Sequence, residues 1–252
     1  MTTLAEFVRN TEFFVIAHRG DSGRAPENTL AAITLALQSG SPMIEIDVQG
    51  TADHSLVVFH DSVLGRTTNG HGQIRMFSAG EVRALDAGGW FSPDFAGERI
   101  PYLTEALDLI QGNAYLNIEV KSHAGDANTI LHTQLLLQEI RKRDLFPFTM
   151  FSSFDHELLL DLRKAVPNII TCALNVPADA RLPSDVVASC MANSYGCSVH
   201  ELTTIKAENC SMHRLPWGAY TVNTPEQLQY VRTYGLHAVV SNHPSTLLQY
   251  LP

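Results

Sequence analysis

Eight short apolar runs, each followed by a helical pattern or a loop, constrain the fold of this chain more than any other feature. Strands that alternate with helices indicate βα units and a parallel sheet. The eight runs end near His18, Asp47, Lys121, Ser152, Leu174, His200, Asn223 and Asn242. Eight βα units in a chain of 252 residues predict an α/β protein, a TIM barrel that occupies residues 1–252 as one domain.

Five of the segments between these runs have apolar residues at helical spacing. Capping signals or basic residues in the last turn support several of them, as the helix dipole favours. The predicted helices cover residues 28–37, 103–110, 129–143, 155–166 and 225–234.

A ninth apolar run, at residues 56–59, does not fit the count of eight units. It follows Asp47 after a linker that is too short for a crossover between parallel strands. We therefore predict a hairpin that turns at Asp53 and His54 and pairs this run antiparallel to the preceding strand. In that register His60 lies opposite Asp47, at the C-terminal mouth of the barrel.

Residues 61–100 differ in texture from the rest of the chain. They are rich in Gly, Thr, Ser and Asn, and outside residues 78–85 they show no clear periodicity. A long irregular segment at the mouth of a barrel more often carries function than serves as a linker. We expect residues 61–100 to form an inserted cap after the second barrel strand.

Composition argues against several classes of partner. The net charge is −9 and no run of basic residues is present, which disfavours nucleic acid. No apolar run approaches the roughly 18 residues of a membrane span, and the N-terminus lacks the apolar core of a secretory signal. The four cysteines have no CxxC spacing, so reduced thiols are favoured over zinc or disulfides. We expect a soluble cytoplasmic protein without stable membrane insertion, and a homo-oligomer is left open.

Charged side chains stand inside two of the apolar runs. Glu45 and Asp47 are two residues apart in one strand, as are Glu119 and Lys121 in another, so each pair shares a face. Such charges are costly to bury unless they are paired or bound to metal. Carboxylates at neighbouring strand ends favour a hard divalent cation, Mg²⁺ or Ca²⁺, over zinc. The alternative is a set of salt bridges, such as Glu119 with Lys121.

Eight short motifs follow one another along nearly the whole chain. They are His18-Arg19-Gly20, Pro26-Glu27-Asn28-Thr29, Glu45-x-Asp47, His60-Asp61, Arg66-Thr67-Thr68-x-Gly70, Glu119-x-Lys121, Ser152-Ser153-Phe154 and Thr221-Val222-Asn223. This ordered set resembles that of the cytoplasmic bacterial glycerophosphodiester phosphodiesterases, a family similar to phosphatidylinositol-specific phospholipases C. The resemblance implies a TIM barrel with a small insertion after the second strand. It also implies hydrolysis of glycerophosphodiesters, in lipid and glycerol metabolism, to sn-glycerol 3-phosphate and an alcohol.

The resemblance implies roles for seven of these residues. Glu45, Asp47 and Glu119 would be the ligands of one divalent cation. His18 and His60 suit general acid–base work, one deprotonating the nucleophile and the other protonating the leaving alcohol. Arg19 and Lys121 would bind phosphate oxygens, the arginine through paired hydrogen bonds and the lysine as a point charge.

Other positions carry weaker expectations. His200 ends a strand and is a candidate substrate contact at the rim, and Trp217 is a candidate contact for the alcohol or glycerol, although a core position fits it equally well. Glu27 and Asn28 either cap the first barrel helix or support the site. Near the last strand, Asn242 stands where the family more often has Asp, so a polar role there is weakened or altered.

Two other functions remain open at this point. A phospholipase acting on lysolipids or inositol lipids would show an apolar or amphipathic surface segment, and no clear one is found. A catalytically silent phosphate-binding barrel would lack a ligand or a histidine, and none is missing. No serine or cysteine is paired with His18 or His60 in the motifs, so the nucleophile is expected to be metal-activated water or the substrate 2-hydroxyl.

Overall fold

The computed structural model describes residues 1–123 and 127–251. These residues contain eleven strands, numbered in chain order: β1 (Phe14–His18), β2 (Met43–Gly50), β3 (Leu56–Val58), β4 (Val63–Leu64), β5 (Gly72–Gln73), β6 (Tyr115–Val120), β7 (Thr149–Ser153), β8 (Ile170–Leu174), β9 (Ser194–Ser198), β10 (Trp217–Tyr220) and β11 (Ala238–Ser241). All except β3, β4 and β5 are parallel neighbours in one sheet, and β1 pairs with both β11 and β2. This pairing closes an eight-stranded barrel, and the predicted TIM-barrel fold is confirmed.

Helices separate the barrel strands. The α-helices are α1 (Leu4–Asn10), α2 (Leu30–Gln38), α3 (Ala79–Arg83), α4 (Leu103–Ile110), α5 (Thr129–Lys142), α6 (His156–Ala165), α7 (Pro183–Cys190), α8 (Thr204–Met212), α9 (Pro225–Arg232) and α10 (Pro244–Leu247). The five predicted helices are confirmed within two residues at each end. Helix α2 begins later than predicted because the Thr29 side chain caps it by accepting a hydrogen bond from the N–H of Ala32.

Apolar side chains fill two regions of the barrel. Outward-facing residues of the strands, such as Val15 and Ile44, belong to the main core beneath the surrounding helices. Inward-facing residues at the N-terminal ends of the strands, including Phe14 and Met43, cluster with Leu4 of α1. Helix α1 therefore covers the bottom of the barrel, and the polar inward-facing side chains are left at the C-terminal mouth.

The predicted hairpin is present, but its register differs by one residue. Strand β3 runs antiparallel to β2, and the N–H of Phe59 donates to the carbonyl of Asp47 at 2.9 Å. Phe59, and not His60, therefore lies opposite Asp47. His60 follows the paired segment and stands partly exposed at the mouth.

The length of the turn explains this difference. The N–H of Thr51 donates to the carbonyl of Ser55, which leaves three residues in the loop where two were predicted. The last of the three, His54, has a φ of 60°. A final residue in the left-handed region is typical of three-residue hairpin loops, and one extra loop residue shifts the register by one.

The segment after β3 builds a small substructure of its own. Strands β4 and β5 pair with each other, α3 follows, and a separate apolar cluster joins the segment to Val57 and Phe59. The guanidinium of Arg83 pairs with Glu105 of α4 and lies 4.3 Å from the ring centre of Tyr102. These contacts fasten the segment to the barrel wall.

Cys172, Cys190, Cys197 and Cys210 are all buried free thiols, as predicted. Among residues 1–123 and 127–251, no helix has both the length and the apolar character that crossing a membrane would require.

Candidate active site

Three carboxylates lie next to one another inside the mouth of the barrel. In the parallel pairing of β2 with β6, Asp47 is the partner of Glu119, and Glu45 lies two residues before Asp47 on the same face. One oxygen from each of the three side chains lies within 4.8 Å of the others. All three residues are buried, Asp47 completely. The structure thus brings together the three residues predicted to hold a cation.

Two cationic side chains contact these carboxylates. Nζ of Lys121 lies 2.7 Å from Oδ1 of Asp47 and also pairs with Glu119. Nε of Arg19 lies 3.1 Å from Oδ2 of Asp47. The salt bridges considered as the alternative are therefore present, but two cations face three carboxylates. Among the described residues, no cationic side chain forms a salt bridge with Glu45.

The pKa values of the carboxyl groups reflect this imbalance. Burial raises the pKa of Glu45 well above its usual range, and the charges of Asp47 and Glu119 raise it further. Burial and Asp47 likewise raise the pKa of Glu119. For Asp47 burial acts in the same direction, but Lys121 and Arg19 outweigh it and hold the pKa well below its usual range. The pKa shifts thus differ within the cluster, downward for Asp47 and upward for Glu45 and Glu119.

One carboxylate oxygen has no partner. Oε2 of Glu45 accepts a hydrogen bond from the N–H of Arg19 at 2.8 Å, whereas Oε1 is buried and has no hydrogen-bond partner among the described residues. A buried, unpartnered carboxylate oxygen is costly. Together with the absence of a cationic partner for Glu45 among the described residues and the all-oxygen donor set, it fits a hard divalent cation.

The loop after β1 holds Asp47 in position through Asn28. Nδ2 of Asn28 donates to Oδ2 of Asp47 at 2.7 Å, and its Oδ1 accepts from the N–H of Asp47 at 3.2 Å. Asn28 has a φ of 59°, a left-handed conformation that asparagine tolerates better than most residues. Since Thr29 caps α2, Asn28 serves the site and is not the helix cap.

His18 ends β1 and is held by a residue from the opposite end of the chain. Its Nδ1 lies 2.6 Å from Oδ1 of Asn242. An amide oxygen only accepts, so Nδ1 carries the proton and Nε2 is the basic nitrogen of the neutral ring. Burial, together with the charge of Arg19, lowers the pKa of His18 to about 4, although the bond to Asn242 opposes this. His18 is therefore neutral at pH 7.

His60 has a charged partner instead. Its Nδ1 lies 2.6 Å from Oδ1 of Asp61. Burial lowers the pKa of His60, while Asp47 and Asp61 act in the opposite direction. The carboxylate fixes the same tautomer as in His18 and stabilises the protonated ring.

Arg66, from the segment after β3, connects the two sides of the mouth. Its Nε lies 2.6 Å from Oδ2 of Asp61, and its Nη2 lies 2.6 Å from Oε1 of Glu27. The same Glu27 oxygen lies 2.6 Å from Nη1 of Arg19. Sequence reasoning included Arg66 and Asp61 in its motifs but gave them no role. Both residues could have been found from the sequence, because they are charged and follow closely after His60 at the end of a strand.

A cleft of about 620 Å³ opens beside these groups. His60, Arg66 and Lys121 line it together with His123 and Phe154. The ring of Phe154 is 37% exposed, and its edge packs against Tyr220 with 6.1 Å between ring centres. The cleft thus offers a polar floor near the carboxylates and an aromatic wall further out.

The two weaker candidates, His200 and Trp217, lie at opposite ends of the barrel. His200 lies exposed in a 3₁₀ turn directly after β9, at the same end of the barrel as the mouth. Trp217 begins β10, so it lies at the opposite end, 3% exposed within the main core, with Nε1 donating to the carbonyl of Gly235. The assignment of Trp217 to the substrate was wrong because the apolar run showed a strand but not its bounds. Tyr220, the last residue of β10, is the aromatic residue of this strand that lies at the mouth, against Phe154.

This chain is similar to known proteins over nearly its whole length. Residues 18–246 match the family model for the glycerophosphoryl diester phosphodiesterase family. The glycerophosphodiester phosphodiesterase of Caldanaerobacter subterraneus is 35% identical, over 93% of this chain and 96% of that protein. The structure of an Oleispira antarctica phosphodiesterase in complex with the product sn-glycerol-3-phosphate has a TM-score of 0.86 and 31% identity, covering 94% of this chain and 95% of that chain. The glycerophosphodiester phosphodiesterase structure from Agrobacterium tumefaciens has a TM-score of 0.79 and 29% identity, covering 92% and 97%.

Proposed function

Because this chain belongs to the glycerophosphoryl diester phosphodiesterase family, we propose that a divalent cation and two histidines at the mouth of its barrel carry out the reaction. The chain is a glycerophosphodiester phosphodiesterase, which converts a glycerophosphodiester to sn-glycerol 3-phosphate and an alcohol. The observation that carries the proposal is the buried carboxylate cluster with its unpartnered Glu45 oxygen, beside two histidines whose Nδ1 atoms are both held.

Glu45, Asp47 and Glu119 would hold the cation. Oxygen donors without nitrogen or sulfur favour Mg²⁺ or Ca²⁺ over zinc. When bound, such a cation supplies charge that stabilises the phosphoryl oxygens in the transition state. Arg19 and Lys121 would complete the phosphate site. Lys121 lines the cleft, and both side chains already form ion pairs with Asp47.

The two histidines would divide the proton transfers. His18 is neutral with Nε2 as its basic nitrogen, so it would accept the proton of the nucleophile. His60 lines the cleft through which an alcohol leaves, and its carboxylate partner Asp61 stabilises the protonated ring. It would therefore donate the proton to the leaving alcohol.

The nucleophile is proposed to be the substrate's own 2-hydroxyl. Ser152 and Ser153 donate to Asn117 and to the carbonyl of Val120, and burial raises the pKa of Cys172 to about 11, which leaves no activated side-chain nucleophile among these groups. Attack by the 2-hydroxyl forms a cyclic phosphate and expels the alcohol, and water then opens the ring. An internal nucleophile gains from proximity. A 2-deoxy analogue that binds but is not hydrolysed would support this route, and turnover close to that of the parent diester would leave water as the nucleophile.

Residues 61–100 are proposed to form a cap that contacts the alcohol. From this segment, Asp61, Ser62, both residues of β4 and Arg66 line the cleft. His200 is proposed as a contact at the rim. We further propose that the protein acts in the cytoplasm, which fits its four buried free thiols.

Release of sn-glycerol 3-phosphate from glycerophosphocholine tests the cation site. Glu119→Gln, which is nearly isosteric, is expected to lower both cation affinity and turnover without unfolding the barrel. Glu98→Gln is the matched control, because Glu98 is a partly buried carboxylic acid outside the mouth whose pKa is also raised by burial. Equal activity of Glu119→Gln and Glu98→Gln would refute the assignment.

A further inference from the structure

Asn242 is held by hydrogen bonds of both its side chain and its backbone, although the sequence predicted only a weakened or altered polar role for it. Its Oδ1 accepts hydrogen bonds from Nδ1 of His18 at 2.6 Å and from the hydroxyl of Ser22 at 3.2 Å. Its backbone N–H donates to Oδ1 of Asn223 at 2.9 Å, and its carbonyl accepts from the N–H of Gly23 at 2.6 Å. The residue that follows the last barrel strand is thereby joined to the loop after the first one.

The backbone of Asn242 is fixed independently of its side chain. A Cβ atom added to Gly23 would lie 2.8 Å from the carbonyl oxygen of Asn242 and 2.2 Å from the ring of His243, so the two loops approach too closely for any other residue. A change of the Asn242 side chain leaves both of its backbone hydrogen bonds available. Loss of the amide can therefore be studied with the loop still in place.

We propose that Asn242 is a positioning residue for the reaction, whose Oδ1 holds His18 in the Nδ1–H tautomer and so makes Nε2 the proton acceptor. The inference rests on the proposed role of His18 as the base. A neutral imidazole has one N–H, and a fixed acceptor at Nδ1 decides which nitrogen carries it. Asp61 does the same for His60 with a carboxylate, whereas Asn242 does it without adding a negative charge beside His18.

Substitutions at Asn242 separate the acceptor from the shape of the side chain. Asn242→Leu removes the acceptor at similar size, and we expect kcat to fall by about 10- to 100-fold, as for other partners that orient a functional histidine, with little change in KM. Asn242→Asp keeps an acceptor at this position, so its kcat is expected to stay within about fivefold of the wild-type value. Ser22→Ala, which removes the other donor to the same oxygen, is the control and is expected to leave kcat unchanged.

A double mutant tests whether Asn242 acts through His18. In a His18→Ala background, Asn242→Leu is expected to cause no further loss of kcat, because its partner is already absent. If Asn242→Leu is as harmful there as in the wild type, the positioning role is overturned. If His18→Ala itself retains full activity, the proposed base fails and this inference fails with it. If His18→Ala is inactive while Asn242→Leu is fully active, only the positioning role fails.

The tautomer can also be observed without any assay. In protein labelled with ¹⁵N-histidine, the signals of His18 are identified by their absence from the His18→Ala variant. We expect a protonated Nδ1 and an unprotonated Nε2 in the wild type and in Asn242→Asp, and loss of this pattern in Asn242→Leu. A wild-type His18 ring protonated at Nε2 alone would contradict the inference even if both Asn242 variants were to misfold.

Discussion

At the scale of single residues, the site depends on which atoms are already partnered. Both histidines have Nδ1 occupied, His18 by an amide and His60 by a carboxylate, so both rings present Nε2 for proton transfer. Asp47 is saturated with cationic partners, while Glu45 keeps one oxygen with no partner among the described residues. The carboxylates therefore differ in what they can still bind, although all three have the same chemistry.

Removal of either imidazole tests the acid–base proposal. We expect His18→Ala and His60→Ala each to lower kcat by about 10²–10⁴, the usual contribution of a general acid or base. The double mutant should lose less than the product of the two effects, because the pair acts as a unit. His237→Ala is the control, since His237 precedes β11 at the other end of the barrel and burial lowers its pKa too. Wild-type kcat in either site variant would reassign that histidine to a structural role.

Binding of the cation should be linked to protons. The pKa values of Glu45 and Glu119 are raised, so these groups hold protons at higher pH than ordinary carboxyl groups do. A cation must displace those protons, so its affinity should fall as pH decreases, and protons should be released on binding. Calorimetric titration with Ca²⁺ in buffers of different ionisation enthalpy measures the release, which should decrease in Glu45→Gln. Affinity that did not change with pH would contradict the assignment.

At the scale of elements, the segment after β3 contributes to the site through Arg66. This side chain reaches from the insertion to Asp61 and Glu27, and so connects the partner of one histidine to the loop of the other. Arg83 makes the comparable link at the far side of the insertion, to Glu105 and over Tyr102. Both arginines belong to the same insertion, but Arg66 lines the cleft and Arg83 does not.

This difference gives a matched pair of variants. Arg66→Met should lower kcat/KM by roughly tenfold, because Asp61 loses the partner that orients it toward His60. Arg83→Met should lower the thermal midpoint and leave kcat/KM unchanged. Steady-state kinetics and thermal unfolding of both variants provide the comparison. Equal effects on kcat/KM would show that the insertion matters for stability alone.

Local pattern predicted much at this scale. Alternation of apolar runs with helical segments was sufficient for the eight barrel strands, and residues 103–110 were predicted with their observed bounds. The hairpin register was missed because an apolar run does not define how many residues its turn contains. Trp217 was misplaced because a four-residue strand has its two ends in one short apolar run. Each error concerns a boundary, which the periodicity of side chains defines poorly.

Contacts between distant parts of the chain were harder to predict. Asn242 meets His18 only because β11 pairs with β1 when the barrel closes, a contact across 224 positions. The charge lost relative to the usual Asp suggested a weakened role, whereas the structure shows that an acceptor oxygen is retained. The three carboxylates were predicted correctly as neighbours because strand ends of a parallel barrel meet at one edge.

At the scale of the whole molecule, closure of the barrel joins groups from the ends of β1, β2, β6 and β11 in one mouth. The protein has a net charge of −9, yet its substrate is an anion. We expect Arg19, Lys121 and a cation held by the carboxylate cluster to make the field at the mouth locally positive, despite the negative charge of the whole protein. We therefore propose that the carboxylate cluster holds a cation and does not only pair with its two basic neighbours.

Removal of the metal tests this claim most directly. Protein stripped with a chelator and shown by elemental analysis to be metal-free should remain folded by circular dichroism. We predict that it loses hydrolysis of glycerophosphocholine by at least about 100-fold, in line with the several kcal/mol that a cation contributes to a charged transition state, and that Mg²⁺ or Ca²⁺ restores release of sn-glycerol 3-phosphate. A full rate in verified metal-free protein would contradict the account.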